Sequence, residues 1–221
     1  MIRDEIMAKL HRQNDPWSGI ILPGGPTRIQ GWNSGHPWLQ EAIAEIRPRI
    51  VVEIGVWKGG SVAQMALKMA ELGLDSVVIA VDTWLGSSEH WLSDEWSKDL
   101  AFLYATFLEN IGNAGLKNFV VPLRLDSLNA ARLLARHSIR PDVIHVDAGH
   151  DVNSVTADLA AWWPLLQSNG LFIIDDYHPS GDNWPEVKAA ADQFFEGFEI
   201  ESMKGKGRVR KTPSPEMERG S

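Results

Sequence analysis

The stretch RIVVEIGVWKGGS, residues 49–61, runs from an apolar strand through a glycine-containing turn into a helix start. Val51, Val52 and Ile54 form a β-branched run broken only by Glu53. Such a run suits a strand covered on both faces of a parallel sheet. Gly55 and Gly59 let the backbone turn sharply and approach a ligand closely. Ser61 and the amides at the helix start can face a carboxylate or a phosphate. The same residues also suit a tight strand-to-helix turn that holds nothing, so the rest of the chain has to separate the two readings.

Moving outward, SVVIAVD (76–82), FVVPLRLD (119–126, interrupted by Pro122), DVIHVD (142–147) and LFIIDD (171–176) repeat the pattern. Each is of strand length, rich in Val and Ile, and finishes near an acid or a turn. Helix-period segments lie between them: 61–73 ending on Gly73, 127–137 starting on Ser127 as a candidate cap, and 153–170 interrupted by Pro164. A further one, 184–197, has Pro185 in its first turn. Strand and helix in alternation imply right-handed crossovers and a Rossmann-like, doubly wound α/β sheet. Residues 198–211 read as an antiparallel edge hairpin around a glycine turn. Residues 1–48 are expected to form a helix and a Gly/Pro/Trp-rich cover over one end of the sheet. The fold proper then spans 49–211, and the polar tail 212–221 is expected to be disordered.

The 221 residues are 44 % hydrophobic and 23 % charged, ordinary for one globular domain with a real core. There is no cysteine, which excludes disulfides, thiolate metal sites and a cysteine nucleophile. A net charge of −8 argues against nucleic acid as a partner. No apolar run approaches membrane-spanning length, and the first residues lack the h-region of a signal peptide. The expectation is a cytoplasmic protein with no membrane association.

In open parallel sheets, ligands bind beyond the carboxyl ends of the strands. Asp82 ends the second run, where an acid can accept both hydroxyls of a ribose, or can serve as a turn or cap residue. Asp126 and Ser127, after the third run, can meet an adenine edge or cap the next helix. Dinucleotide enzymes carry G-x-G-x-x-G after the first strand. Here the pattern is E-x-G-x-x-x-G, and Glu53 stands where the first glycine would be, leaving less room for a pyrophosphate.

E-x-G-x-x-x-G-x-S after the first strand, with an acid closing the second, resembles the class I S-adenosylmethionine-dependent methyltransferases over about residues 45–211. The resemblance implies a seven-stranded, mostly parallel sheet with an antiparallel last strand. It also implies a cofactor site on Gly55, Gly59, Ser61 and Asp82, to which Glu53, Trp57, Asp126 and Ser127 are added by position.

Asp147 closes the fourth run, and Asp175 and Asp176 close the fifth. Adjacent strands lie about 5 Å apart, so three carboxylates gather at one edge. Each can cap a helix or pair with a base; alternatively a hard divalent cation relieves their repulsion. The arrangement resembles the metal-dependent O-methyltransferases, both the catechol type and the macrolide-sugar type with its cephalosporin-hydroxylase-like relatives. That resemblance implies Mg2+ (or Mn2+ or Ca2+) on Asp147, Asp175 and Asp176. His150 stands three residues after the first metal aspartate, where the catechol type has a lysine base. It can take a hydroxyl proton or ligate the metal, so Asp147 and His150 are the catalytic candidates. His145, inside its strand, is expected to be a packed core residue, and His178 lies within reach of substrate.

The acceptor side is read from DTWLGSSEHWLSDEW (82–96), a lid whose Trp84, His90, Trp91 and Trp96 can stack on a ring or pack on the core. The function expected is O-methylation of a small hydroxylated acceptor: a sugar, a glycosylated natural product or another vicinal diol. Two alternatives stand beside it, an NAD-dependent oxidoreductase and a non-catalytic cofactor-binding member of the fold. The cover segment can close the pocket or mediate a homodimer or higher homo-oligomer.

Overall fold

Each of the apolar runs becomes a strand. The computed structural model describes residues 1–12, 14–20, 29, 31–178, 180 and 183–212. Five strands are parallel: β1 (Ile50–Ile54), β2 (Val77–Asp82), β3 (Val120–Arg124), β4 (Val143–Val146) and β5 (Leu171–Ile174). The hairpin β6 (Glu201–Met203) and β7 (Lys206–Arg210) adds to β5 antiparallel. The order is β3-β2-β1-β4-β5-β7-β6, the expected seven-stranded, mostly parallel sheet. Direction of winding reverses between β1 and β4, which opens the crevice used by ligands in such folds.

The helices are α1 (Ile2–His11), α2 (Pro37–Ile46), α3 (Gly60–Glu71), α4 (Ser88–Leu92), α5 (Ser97–Leu100), α6 (Leu103–Asn113), α7 (Ser127–Arg136), α8 (Val152–Trp162) and α9 (Pro185–Phe194). They form two layers because successive strand residues point to opposite faces. Val52 and Ile54 face a core built with α1, α7, α8 and α9. Val51 faces a second core built with α2, α3 and α6. Pro122 is tolerated because β3 is an edge strand. Its carbonyl accepts from His11 Nε2 of α1 at 2.7 Å, so the first helix covers that edge.

Helix ends largely follow the sequence. Gly73 takes φ +62° just past α3, Pro164 falls in the 3₁₀ turn that ends α8, and Pro185 opens α9. One cap shifts. Asp126, not Ser127, is the N-cap of α7, accepting the Asn129 N–H at 3.0 Å. An ionised carboxylate beside the helix N-terminus is favoured by the dipole, and the serine side chain is released for other use. Helices α2 and α6 were not expected from the sequence. The tail from 213 and residues 21–28 of the cover lie outside the described residues. No helix among the described residues is long and apolar enough to cross a membrane.

Candidate active site

A cavity of about 770 Å3 opens at the carboxyl ends of the parallel strands, within the usual size of small-molecule sites. The turn after β1 forms one wall. Gly55 takes φ +79° and lies so close to the next strand that a Cβ there would sit 1.7 Å from the Asp147 carbonyl oxygen. Only glycine allows β1 and the end of β4 to approach in this way. Asp82, from the end of β2, accepts the N–H groups of Val56 (2.7 Å), Trp57 (2.9 Å) and Trp84 (2.7 Å). It therefore lines the cavity and fixes the turn at once. Gly55, Trp57 and Ser61 face the cavity. Glu53 and Gly59 do not stand on its wall: Glu53 lies fully buried beneath the turn, and Gly59 packs against Phe107.

Asp126 and Ser127 reach the same cavity from the end of β3, with their polar atoms committed locally. Both Asp126 oxygens accept from Asn129, from its N–H and its side-chain amide. Ser127 Oγ donates to Asp158 and accepts from Trp162 Nε1 at 2.8 Å. Burial pushes the Asp158 carboxyl up to about 6, against the bond from Ser127.

The acidic corner forms the opposite wall. Asp147, His150 and Asp176 each offer a ligand atom, all within 4.8 Å of one another. Burial, together with the charges of Asp175 and Asp176, pushes the Asp147 carboxyl well above the usual carboxylate range. His150 Nε2 lies 3.1 Å from Asp176 Oδ2, and its ring stacks on Trp184 at 4.0 Å. Asp176 and Trp184 both hold left-handed backbone, φ 55° and 45°. Such conformations cost free energy and concentrate at sites where side-chain direction matters. His178 Nε2 is 3.8 Å from the other Asp176 oxygen.

Asp175 stands beside these groups: it lines the same cavity and, with His145 and Asp147, makes a second trio of possible ligand atoms within 4.8 Å of one another, but it is buried and already paired. Its Oδ2 is ion-paired with Lys206 Nζ, and its Oδ1 accepts the Asp176 N–H at 2.9 Å. Burial alone would raise this carboxyl, but His145 and Lys206 hold it below the usual range. His145 is a core residue, as expected, with Nε2 3.1 Å from Lys206 Nζ and Nδ1 3.5 Å from Glu53 Oε1. Ser61 Oγ donates to the same Glu53 oxygen. A buried polar chain thus runs under the cavity from the glycine turn to the acidic corner. Lys206 was missed in the sequence because it sits in a basic run that reads as a solvated edge.

Aromatic rings close the mouth. Trp57 stacks on His90 at 4.3 Å, and Trp32, from the cover segment, meets Trp96 edge-on at 4.7 Å. Trp84 and Trp91 do not join them. Trp84 is buried against Tyr104 and Phe107 with Nε1 on the Trp57 carbonyl. Trp91 is exposed and bonds the Leu85 carbonyl. The cover is tied to the hairpin by Asn33 Nδ2 on the Lys204 carbonyl (3.0 Å) and His36 Nε2 on the Met203 carbonyl (2.9 Å).

Residues 52–177, more than half of the chain, match the protein-family model described as a methyltransferase domain. The chain belongs to this methyltransferase family. No curated protein matches it. Solved structures similar to this methyltransferase domain include the O-methyltransferase NovP, at 20 % identity over 81 % of this chain and 80 % of that one, TM-score 0.61. Cofactor-bound Rv0187 from MTB is similar at 17 % identity over 96 % and 97 % of the two chains, TM-score 0.60. The calicheamicin methyltransferase CalS11 is similar at 15 % identity over 80 % and 77 %, TM-score 0.57. At these identities the likeness is one of fold. Family membership decides against the NAD-dependent oxidoreductase.

The methyltransferase fold implies S-adenosylmethionine, and the residues fit it. The turn at Gly55–Ser61 offers a close-approach wall with no acid directed at the cavity from Glu53, and the cavity lies at the switch point between β1 and β4. The acidic corner also fits a divalent cation: Asp147, Asp176 and His150 are hard or borderline donors gathered around one point.

Proposed function

We propose that the protein is an S-adenosylmethionine-dependent O-methyltransferase, assisted by a divalent cation, acting on a small acceptor with neighbouring hydroxyls such as a sugar, a glycosylated natural product or another vicinal diol. One observation carries the reading. The glycine turn and the acidic corner of Asp147, His150 and Asp176 open into a single cavity. In such a site the sulfonium donor supplies an activated methyl group, and Mg2+ or a similar ion supplies a Lewis acid for the acceptor hydroxyl.

The chain's own residues then have limited work. The glycine turn, braced by Asp82, fixes the donor side. Asp147 and Asp176 would hold the cation. His150, held by stacking on Trp184 and by the Asp176 carboxylate, is placed either to receive the hydroxyl proton or to complete the ligand set. Trp32, Trp57, His90 and Trp96 exclude water at the mouth, and their flat faces suit a ring-bearing acceptor. Alignment of acceptor and donor supplies most of the rate, since the methyl is already activated.

Calorimetric titration of metal-stripped protein with S-adenosylmethionine, repeated with saturating Mg2+, is the first test. Saturable heat followed by methylation of a hydroxylated acceptor, lost in Asp147→Ala, is expected. Binding without transfer to any acceptor would favour the non-catalytic member of the fold. No binding would remove the methyl donor from the account.

A further inference from the structure

Lys206 is fully buried in a hairpin whose other basic side chains reach solvent. Among the described residues its ammonium meets two acceptors, Asp175 Oδ2 and His145 Nε2. A buried lysine is costly unless paired, and the partner it takes is the first member of the acidic doublet. The consequence passes along the chain. Asp175, held by Lys206, accepts the Asp176 N–H with its other oxygen, and Asp176 turns through φ 55° toward His150.

We infer that Asp175 is the counter-ion of Lys206 and a positioning residue, not a cation ligand, so that the ligand set at this corner is Asp147, His150 and Asp176. The inference rests on the cation site proposed above. A divalent ion bound through Asp175 would have to approach an ammonium already at hydrogen-bonding distance from that carboxylate, and like charges in a buried site repel strongly. Asp176 carries no such internal cation. Its carboxylate meets only the histidines 150 and 178, whose imidazoles can themselves ligate a metal. Both acids line the cavity, and the doublet divides its labour by partner: Asp175 neutralises a fixed internal cation and orients the backbone, while Asp176 is left to the histidines and the ion.

The test removes the pair without changing local charge. In the double variant Asp175→Asn/Lys206→Met, the Asn oxygen can still accept the Asp176 N–H. Mn2+ is titrated calorimetrically into metal-stripped wild type, the double variant and Asp176→Asn, with circular dichroism to check folding. The double variant is expected to keep the wild-type Mn2+ affinity within about threefold, because the Asn oxygen keeps the Asp176 N–H bond, while Asp176→Asn loses well over about 100-fold, more than an outer-shell change typically costs. A loss in the double variant as large as in Asp176→Asn overturns the inference and leaves the cation site standing. No saturable Mn2+ heat in the wild type overturns both. Should the double variant not fold, the anomalous signal of Mn2+-soaked wild-type crystals decides. An ion bonded to Asp147 and Asp176, with Asp175 still on Lys206, supports the inference, and a bond from Asp175 to the ion overturns it.

Discussion

The carboxylate of Asp82, at the end of β2, accepts the backbone N–H of Trp57 at 2.9 Å, in the turn that leaves β1. The same group also holds Val56 and Trp84, and both tryptophans have left-handed backbone, φ 50° and 51°. One side chain therefore offsets the strain of two non-glycine turns. Charge-assisted bonds of this kind are worth about 1.5–3 kcal/mol each. Asp82→Asn leaves one oxygen to serve amides on two sides and sets an NH2 against the others. A stability loss of about 3 kcal/mol in urea is expected, together with at least about a tenfold weaker S-adenosylmethionine Kd. An unchanged Kd would show that the turn needs no brace.

Gly55 and Gly73 both have positive φ, 79° and 62°, but they differ in their surroundings. A Cβ on Gly73 meets nothing within 4 Å, whereas one on Gly55 meets the backbone of Asp147 at 1.7 Å. Gly73→Ala should cost only the left-handed penalty, about 1–2 kcal/mol. Gly55→Ala must push β1 and β4 apart at the cavity, so it should cost well over about 3 kcal/mol or yield no soluble protein. Equal costs for the two in denaturant titration would contradict the packing account.

The strands were legible because strands covered on both faces leave unbroken β-branched runs, as in Val77–Val81 and Leu171–Ile174. The end of β3 was legible to within one residue: the cap fell on Asp126, and Ser127 was drawn instead into the bonds with Asp158 and Trp162. Helix α6 does bury Leu103, Phe107 and Ile111 at helical spacing. The five- and four-residue helices α4 and α5 before it are too short to carry a period. Pairing of Asp175 with Lys206 joins residues 31 apart. It depends on the register of an antiparallel hairpin, which no local pattern encodes. Trp32 likewise reaches the cavity only through the bonds that tie Asn33 and His36 to the hairpin.

His36 uses both ring nitrogens. Nδ1 accepts the Trp38 N–H and caps α2, and Nε2 donates to the Met203 carbonyl. This needs the neutral ring, and burial holds its pKa below the ordinary value of 6.5. A lowered histidine pKa means that the folded state binds fewer protons, so the stability it contributes is present above the unfolded pKa and lost as pH falls. Amide protection factors at Trp38 and in the β6–β7 hairpin should fall between about pH 7 and pH 5, after correction for the intrinsic exchange rate. In His36→Asn, which caps a helix without titrating, that pH response should vanish. A response that persists in the variant would assign it to another group.

Asp158 gives the opposite sign. Its carboxyl is raised from 3.8 to about 6, first by burial. The unfolded chain ionises more readily than the folded one, so the associated stability is present below the unfolded value and is lost as pH rises through about 6. Two units correspond to at most about 3 kcal/mol. Asp158→Asn keeps an oxygen for the Ser127 hydroxyl and carries no charge. The stability of this variant relative to wild type should therefore widen in its favour by up to about 3 kcal/mol between about pH 4 and pH 7.5. Ser127 sits on the cavity wall and donates a hydrogen bond to Asp158, so the cofactor affinity of Asp158→Asn should stay near wild type at low pH and diverge as wild-type Asp158 ionises. Parallel stability curves for the two proteins across that range would mean that Asp158 is hydrated in solution and carries no raised pKa.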